Sequence, residues 1–251
     1  MSTTSLHNFS GKTHYFGVET KYGKDLKNNI KYVIRCTNSQ NEEGEYIVSI
    51  ERKQFFINGI EPQKLVDKLA DACMKILYPI AWKLGPKGDF EAFSNFEAVL
   101  KRAQMDIPKI RQEYKGEQVS AYLKQIESSL ENEENFTKAL LNDPLYYVLF
   151  INLPISKEDT VIKFPVEAFK PPEKFYGIIQ ALEPKNKIMG SFFKGEAFNK
   201  QQLELIKWLN DDDYSVQKIE AKVEDNFRQN IVNYTITRLK EREQENGKFY
   251  L

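Results

Sequence analysis

The stretch Ile30-Lys31-Tyr32-Val33-Ile34-Arg35-Cys36-Thr37 decides the fold. Ile30, Tyr32, Ile34 and Cys36 recur at every second position, while Lys31, Arg35 and Thr37 take most of the places between them. Successive side chains of an extended chain point to opposite faces, so this spacing predicts a strand with one face on a core and one in water. Upstream, the segment from Thr13 shares the period; downstream, the polar stretch Asn38 to Gly44 turns the chain. Tyr46, Val48 and Ile50 then resume the alternation into Phe55 and Phe56, which completes an antiparallel meander of about three strands ending at Asn58-Gly59.

The period then changes. After Pro62, Leu65, Leu69, Cys73 and Ile76 fall at three- and four-residue steps, the mark of a helix with one core face. Gly85-Pro86-Lys87-Gly88-Asp89 between two short apolar pieces predicts a hairpin over Tyr78 to Asn95. From Ser94, read as an N-cap, helical stripes run through Phe96, Val99, Ala103, Ile107 and Ile110, with Pro108 expected to kink or split them. They continue through Val119, Leu123 and Leu130, and then Phe136 and Leu140, before Asp143-Pro144 opens a short apolar turn.

Strand patterning returns at Ile162 to Ala168, Phe175 to Leu182 and Lys187 to Lys194, with Pro165 marking an edge or bulge. Gln201 to Leu209 reads as a helix, and Tyr214 to Glu224 with Asn230 to Leu239 as a final hairpin before a charged, fraying tail. The expected fold is therefore α+β: one curved antiparallel sheet, or two, from both flanks packed against a central group of helices, with an internal pseudo-repeat as one reading. Its parts are a strand-rich half over 1–95, a helical segment over 96–153 and a second strand-rich half over 154–251, in one unit or two packed lobes. Phe55-Phe56, Gly59 and Gln63-Lys64-Leu65 parallel Phe192-Phe193, Gly195 and Gln201-Gln202-Leu203. Two readings stand for this parallel: an internal duplication, or ordinary reuse of the same turn and helix-start chemistry.

Composition narrows the function. Over 251 residues, Lys plus Arg and Asp plus Glu both number 36, which removes any global electrostatic case for nucleic acid or an anionic membrane surface. The longest apolar run, Leu145 to Leu153, is broken by Asn152 and is well short of the about 20 residues a helix needs to span a bilayer. Cys36 and Cys73 lack CxxC spacing and sit at core positions of a strand and a helix, as expected of buried thiols in a reducing, cytoplasmic setting. Nothing at Met1 to Lys12 reads as an export signal.

The usual catalytic vocabulary is sparse. His7 and His14 are the two histidines, both near the N-terminus and without metal-ligand pairing. The glycines around Pro86 match neither phosphate-binding order, and the consecutive acids Asp211-Asp212-Asp213 do not alternate as calcium ligands do. Glu127, Glu131, Glu133 and Glu134 read as a solvated face. No cofactor is expected.

Aromatic doublets are the positive signal: Phe55-Phe56, Tyr146-Tyr147, Phe175-Tyr176 and Phe192-Phe193, beside Trp82 and Trp208. A doublet on a strand sends one ring to each face, so one ring must be covered by helices, by a ligand or by a partner. The candidate binding residues are accordingly Trp82, Tyr146, Tyr147, Phe192, Phe193 and Trp208, with Arg35 and Arg52 as cations for an anionic group. The expected function is a non-catalytic binding or protein-interaction module for an apolar small molecule or a partner protein. Two alternatives are an accessory subunit of a larger intracellular assembly and a carboxylate-based enzyme without a visible motif.

Overall fold

The structure is a computed structural model; it describes residues 13–85, 90–150, 153, 158–166, 172–185, 187–210, 216–225, 227 and 229–239. The expected turn at Pro86 to Asp89, His7, Asp211 to Asp213, Ala168 and the tail from Lys240 lie outside these residues.

Among the described residues, eleven strands form one antiparallel sheet in the order β5-β4-β3-β2-β1-β11-β10-β9-β8-β7-β6. The first flank supplies β1 (Thr13–Tyr22), β2 (Asn28–Gln40), β3 (Tyr46–Ile57), β4 (Ile80–Leu84) and β5 (Phe90–Phe93). The second supplies β6 (Thr160–Phe164), β7 (Glu173–Lys185), β8 (Ile188–Ala197), β9 (Gln201–Asn210), β10 (Val216–Asp225) and β11 (Asn230–Arg238). Read in space, the order is the chain order taken cyclically: β1 pairs with β11, and the sheet stays open between β5 and β6. The two flanks are thus continuous parts of a single sheet rather than two sheets.

Helices cover one face. α1 (Leu65–Leu77) lies between β3 and β4 in sequence; α2 (Phe96–Glu113), α3 (Glu117–Ser129), α4 (Glu133–Leu141) and α5 (Pro144–Phe150) connect the open edges. Pro108 sits inside α2 without ending it. Asn95, rather than Ser94, is the residue at the α2 N-cap, and its side chain braces β4 instead of capping. It accepts from the Ala81 N–H at 2.8 Å and donates to the Pro79 carbonyl at 2.9 Å. Arg102 of α2 donates to the carbonyls of Ile76 (2.9 Å), Leu77 (3.1 Å) and Pro79 (2.8 Å), satisfying the exposed end of α1 and locking the two helices together.

Alternation fixes which residues look inward. Ile34, Cys36, Val48, Ile50 and Ile80 from the first flank join Phe164, Phe175, Ile179, Phe193, Leu203, Leu205, Ala221 and Ile236 from the second in one continuous core. Gln201–Asn210 is strand β9, contrary to the expected helix. Its buried positions, Gln201, Leu203 and Leu205, have period two, and pairing with β8 and β10 along the whole segment outweighs the helix propensity of its Leu, Glu and Lys residues. Gln63–Leu65 thus leads into a helix and Gln201–Leu203 into a strand, so the local parallel between the flanks does not extend to their structure.

Candidate functional site

The sheet has two faces, and the aromatic doublets divide between them. On the face toward the helices, Trp82 and Tyr146 are each 1% exposed with ring centroids 4.9 Å apart, and Phe193 is fully buried. The Tyr146 hydroxyl donates to the Tyr78 hydroxyl at 2.5 Å. Tyr147 sets its ring edge-on to Phe164 at 5.5 Å. These rings bind α5 to the sheet and occupy the core. Arg52 points the same way: its guanidinium reaches the Asp71 carboxylate of α1 at 2.6 Å and lies over the Phe55 ring at 4.8 Å. Arg35 points outward and pairs with Glu51 at 3.4 Å. The two arginines therefore do not form one site.

Burial shifts the titration of several interior groups, lowering the Lys207 ammonium to about 8. Burial pushes the Asp143 carboxyl up to about 6, against the opposing hydrogen bond it accepts from the Leu145 N–H at 2.8 Å at the start of α5. The carboxyls of Glu45, Glu51 and Glu134 shift the other way, lowered chiefly by hydrogen bonds from Lys83, Lys53 and Lys138. Burial raises the thiols of Cys36 to about 12 and Cys73 to about 11, far from nucleophilic values. His14 is half-buried on β1 with Nδ1 at 2.9 Å from Arg238 Nη2. Among the described residues, no three His, Cys, Asp or Glu side chains gather to hold a metal, and no helix is long and apolar enough to cross a membrane.

The outer face is a lattice of opposite charges over most of its width. Glu19 bridges Lys21 and Lys31, both at 3.2 Å; Lys83 reaches Glu45 at 2.5 Å; Lys218 meets Glu220 and Lys194 meets Glu204 at 2.9 and 2.8 Å. Such exposed pairs each contribute little, about 0–1 kcal/mol, yet together they mark a surface built for water.

The lattice gives way near the β6 edge. Val161 of β6 and Tyr176 and Ile178 of β7 are 50%, 41% and 43% exposed, and Phe198 beyond β8 is 86% exposed with its ring 5.1 Å from Tyr176. Phe192 and Trp208 flank them, half-buried on the same face. Trp208 lies across Gly190, where a Cβ would sit 2.5 Å from its ring; only glycine permits this approach. Lys163 and Lys174 stand directly opposite each other on β6 and β7, and neither makes an ion pair among the described residues. Among the described residues, the edge strand β6 has no neighbour beyond it.

No family model matches the chain. No curated protein matches it either. A lipovitellin structure, described by its lipid–protein interactions, overlaps it at a TM-score of 0.41 and 9% identity, covering 91% of this chain and 25% of that one. So loose an overlap assigns neither fold family nor ligand, and the chain spans about a quarter of the length of that protein.

Of the residues singled out in the sequence, Phe192 and Trp208 border the outer patch, while Trp82, Tyr146, Tyr147, Phe193 and Arg52 converge inside and Arg35 joins the charge lattice. Val161, Ile178 and Phe198 were missed. The signal for Val161 and Ile178 was present: each is an apolar residue between inward neighbours, out of phase with its strand's buried positions.

Proposed function

We propose that the protein is a non-catalytic interaction module that binds an extended segment of a partner protein along β6 and over Val161, Tyr176, Ile178 and Phe198. The observation that carries this reading is the exposed aromatic and aliphatic cluster beside an unpaired strand edge, on a face that is otherwise ion-paired. An edge strand offers unpaired backbone N–H and C=O groups to an added strand. Lys163 and Lys174, which make no ion pair among the described residues, favour a segment in which acidic residues alternate with apolar ones.

Selection of random dodecapeptides displayed on phage tests the reading. The expected winners carry alternating apolar and acidic residues and lose binding to the double variant Tyr176→Ser/Ile178→Ser. Winners indifferent to that variant overturn it. So does a concentration-dependent dimer of the protein that dissolves in the same variant, since the patch then serves a second copy of this chain.

A further inference from the structure

A second recessed surface lies on the other flank. β3 runs from Tyr46 to Ile57, yet β4 pairs with it only from Tyr46 to Ile50. Past Ile50 the β3 edge faces α1 instead of a strand, apart from a lone bridge between Ile57 and Ile60. The resulting groove, about 520 Å³, lies within the size range of small-molecule sites. Phe55, Phe56 and Tyr114 give it an apolar wall, and Lys53, Lys68 and Lys75 bring three cations to it.

Two acids, Glu61 and Asp71, line the groove with the three lysines and leave that charge only partly answered. Asp71 is held twice, by buried Arg52 at 2.6 Å and by Lys75 at 2.7 Å, and Lys53 pairs with Glu51. Lys68 is exposed on α1 and makes no ion pair among the described residues. With Arg52 fixed beneath Phe55, the groove combines ring surfaces with an excess of positive charge, the chemistry that recognises an apolar anion.

We propose that this groove binds a small aromatic or otherwise apolar anion, its body against Phe55, Phe56 and Tyr114 and its negative group held by Lys68 and Lys53. The site is separate from the β6 patch and stands or falls without it.

The test uses two fluorescent probes of similar shape, the sulfonate 1-anilinonaphthalene-8-sulfonate and the neutral N-phenyl-1-naphthylamine. The sulfonate is expected to bind the wild-type protein more tightly than the neutral probe. The variant Lys53→Ser/Lys68→Ser is expected to weaken the sulfonate on the order of tenfold while leaving the neutral probe unchanged. Lys68→Ser alone, at an exposed position, and the charge-preserving Lys68→Arg are measured beside it; the first is expected to weaken binding and the second to retain it. Unchanged sulfonate affinity in both Lys→Ser variants, equal weakening of both probes, or loss of the sulfonate in Tyr176→Ser overturns the proposal.

Discussion

The ring of Phe164 on β6 lies 6.0 Å from the ring of Tyr234 on β11, although β7 to β10 separate the two strands within the sheet. Only a strongly curled sheet brings those rings together, and Tyr147 of α5 packs against Phe164 from the side at 5.5 Å. Phe164 is fully buried. Phe164→Ala is therefore expected to cost about 3–5 kcal/mol, read from the shift in the urea unfolding midpoint. A loss below about 1 kcal/mol, outside the range for a buried ring, shows that the curl does not depend on this contact.

Trp208 reports on the second flank. Because its ring occupies the space a Cβ would need at Gly190, Gly190→Ala must displace it. The expected outcome is destabilisation by about 1–3 kcal/mol with a red-shifted tryptophan emission. Trp82, the other tryptophan, is 1% exposed and distant in the sheet order, so the shift is assigned by repeating the measurement in Trp82→Phe.

Asp143 sets a pH dependence whose sign follows from burial. Its carboxyl ordinarily titrates near 3.8 and is raised to about 6 in the folded protein, so the folded state holds the proton more tightly than the unfolded one. This contribution to stability is complete below about pH 4 and lost as pH climbs through 6. Asp143→Asn keeps the oxygen that caps α5 and has no such loss. The variant is expected to gain about 1–2 kcal/mol over wild type between pH 4 and pH 7, the partial solvent contact of Asp143 holding the gain below the full shift. Thermal melts across that range decide it; a constant difference counts against the assignment.

Arg102 joins α1 to α2 through three carbonyl acceptors. Lysine presents a single ammonium where the guanidinium has a planar fork, so Arg102→Lys is expected to lose about 1–2 kcal/mol in denaturant titration. A neutral result places the helix pairing in apolar packing alone.

Tyr176→Ser/Ile178→Ser, by contrast, is expected to leave stability within about 1 kcal/mol of wild type, because both residues are exposed and make few internal contacts. A larger loss in calorimetry identifies the patch as part of the core.

Much of the architecture was legible in the residue pattern. Ile30 to Cys36 and Tyr46 to Ile50 alternate so regularly that β2 and β3 follow from spacing, and the stripes at Leu65 to Ile76 and Val99 to Ile110 give α1 and α2. β9 was misread because Gln201 to Leu209 has helix-forming residues and its apolar positions fit both periods over so short a span. Trp82 and Tyr146 stand out in the sequence as large rings needing cover, but which face the cover comes from depends on where α5 docks, and that is set by contacts more than 60 residues apart in sequence. The β6 patch was harder still, since among the described residues no element covers Tyr176 on the outer face, and no local pattern encodes that.

The pairing of β1 with β11 places the first and last strands of the sheet side by side, tied further by Arg238 to His14 and by the Leu239 N–H to the Tyr15 carbonyl at 2.9 Å. During synthesis β1 is made long before β11, so the edge of β1 that β11 covers stays unpaired while the strands and helices between them in sequence are made. Each flank can assemble as a meander of local hairpins, but the seam between them closes only as a late, high-separation event, as entropy of chain closure demands. The nascent chain is thus most vulnerable to strand-mediated association in the interval before β11 is made, at a seam that the finished molecule hides in the middle of its sheet.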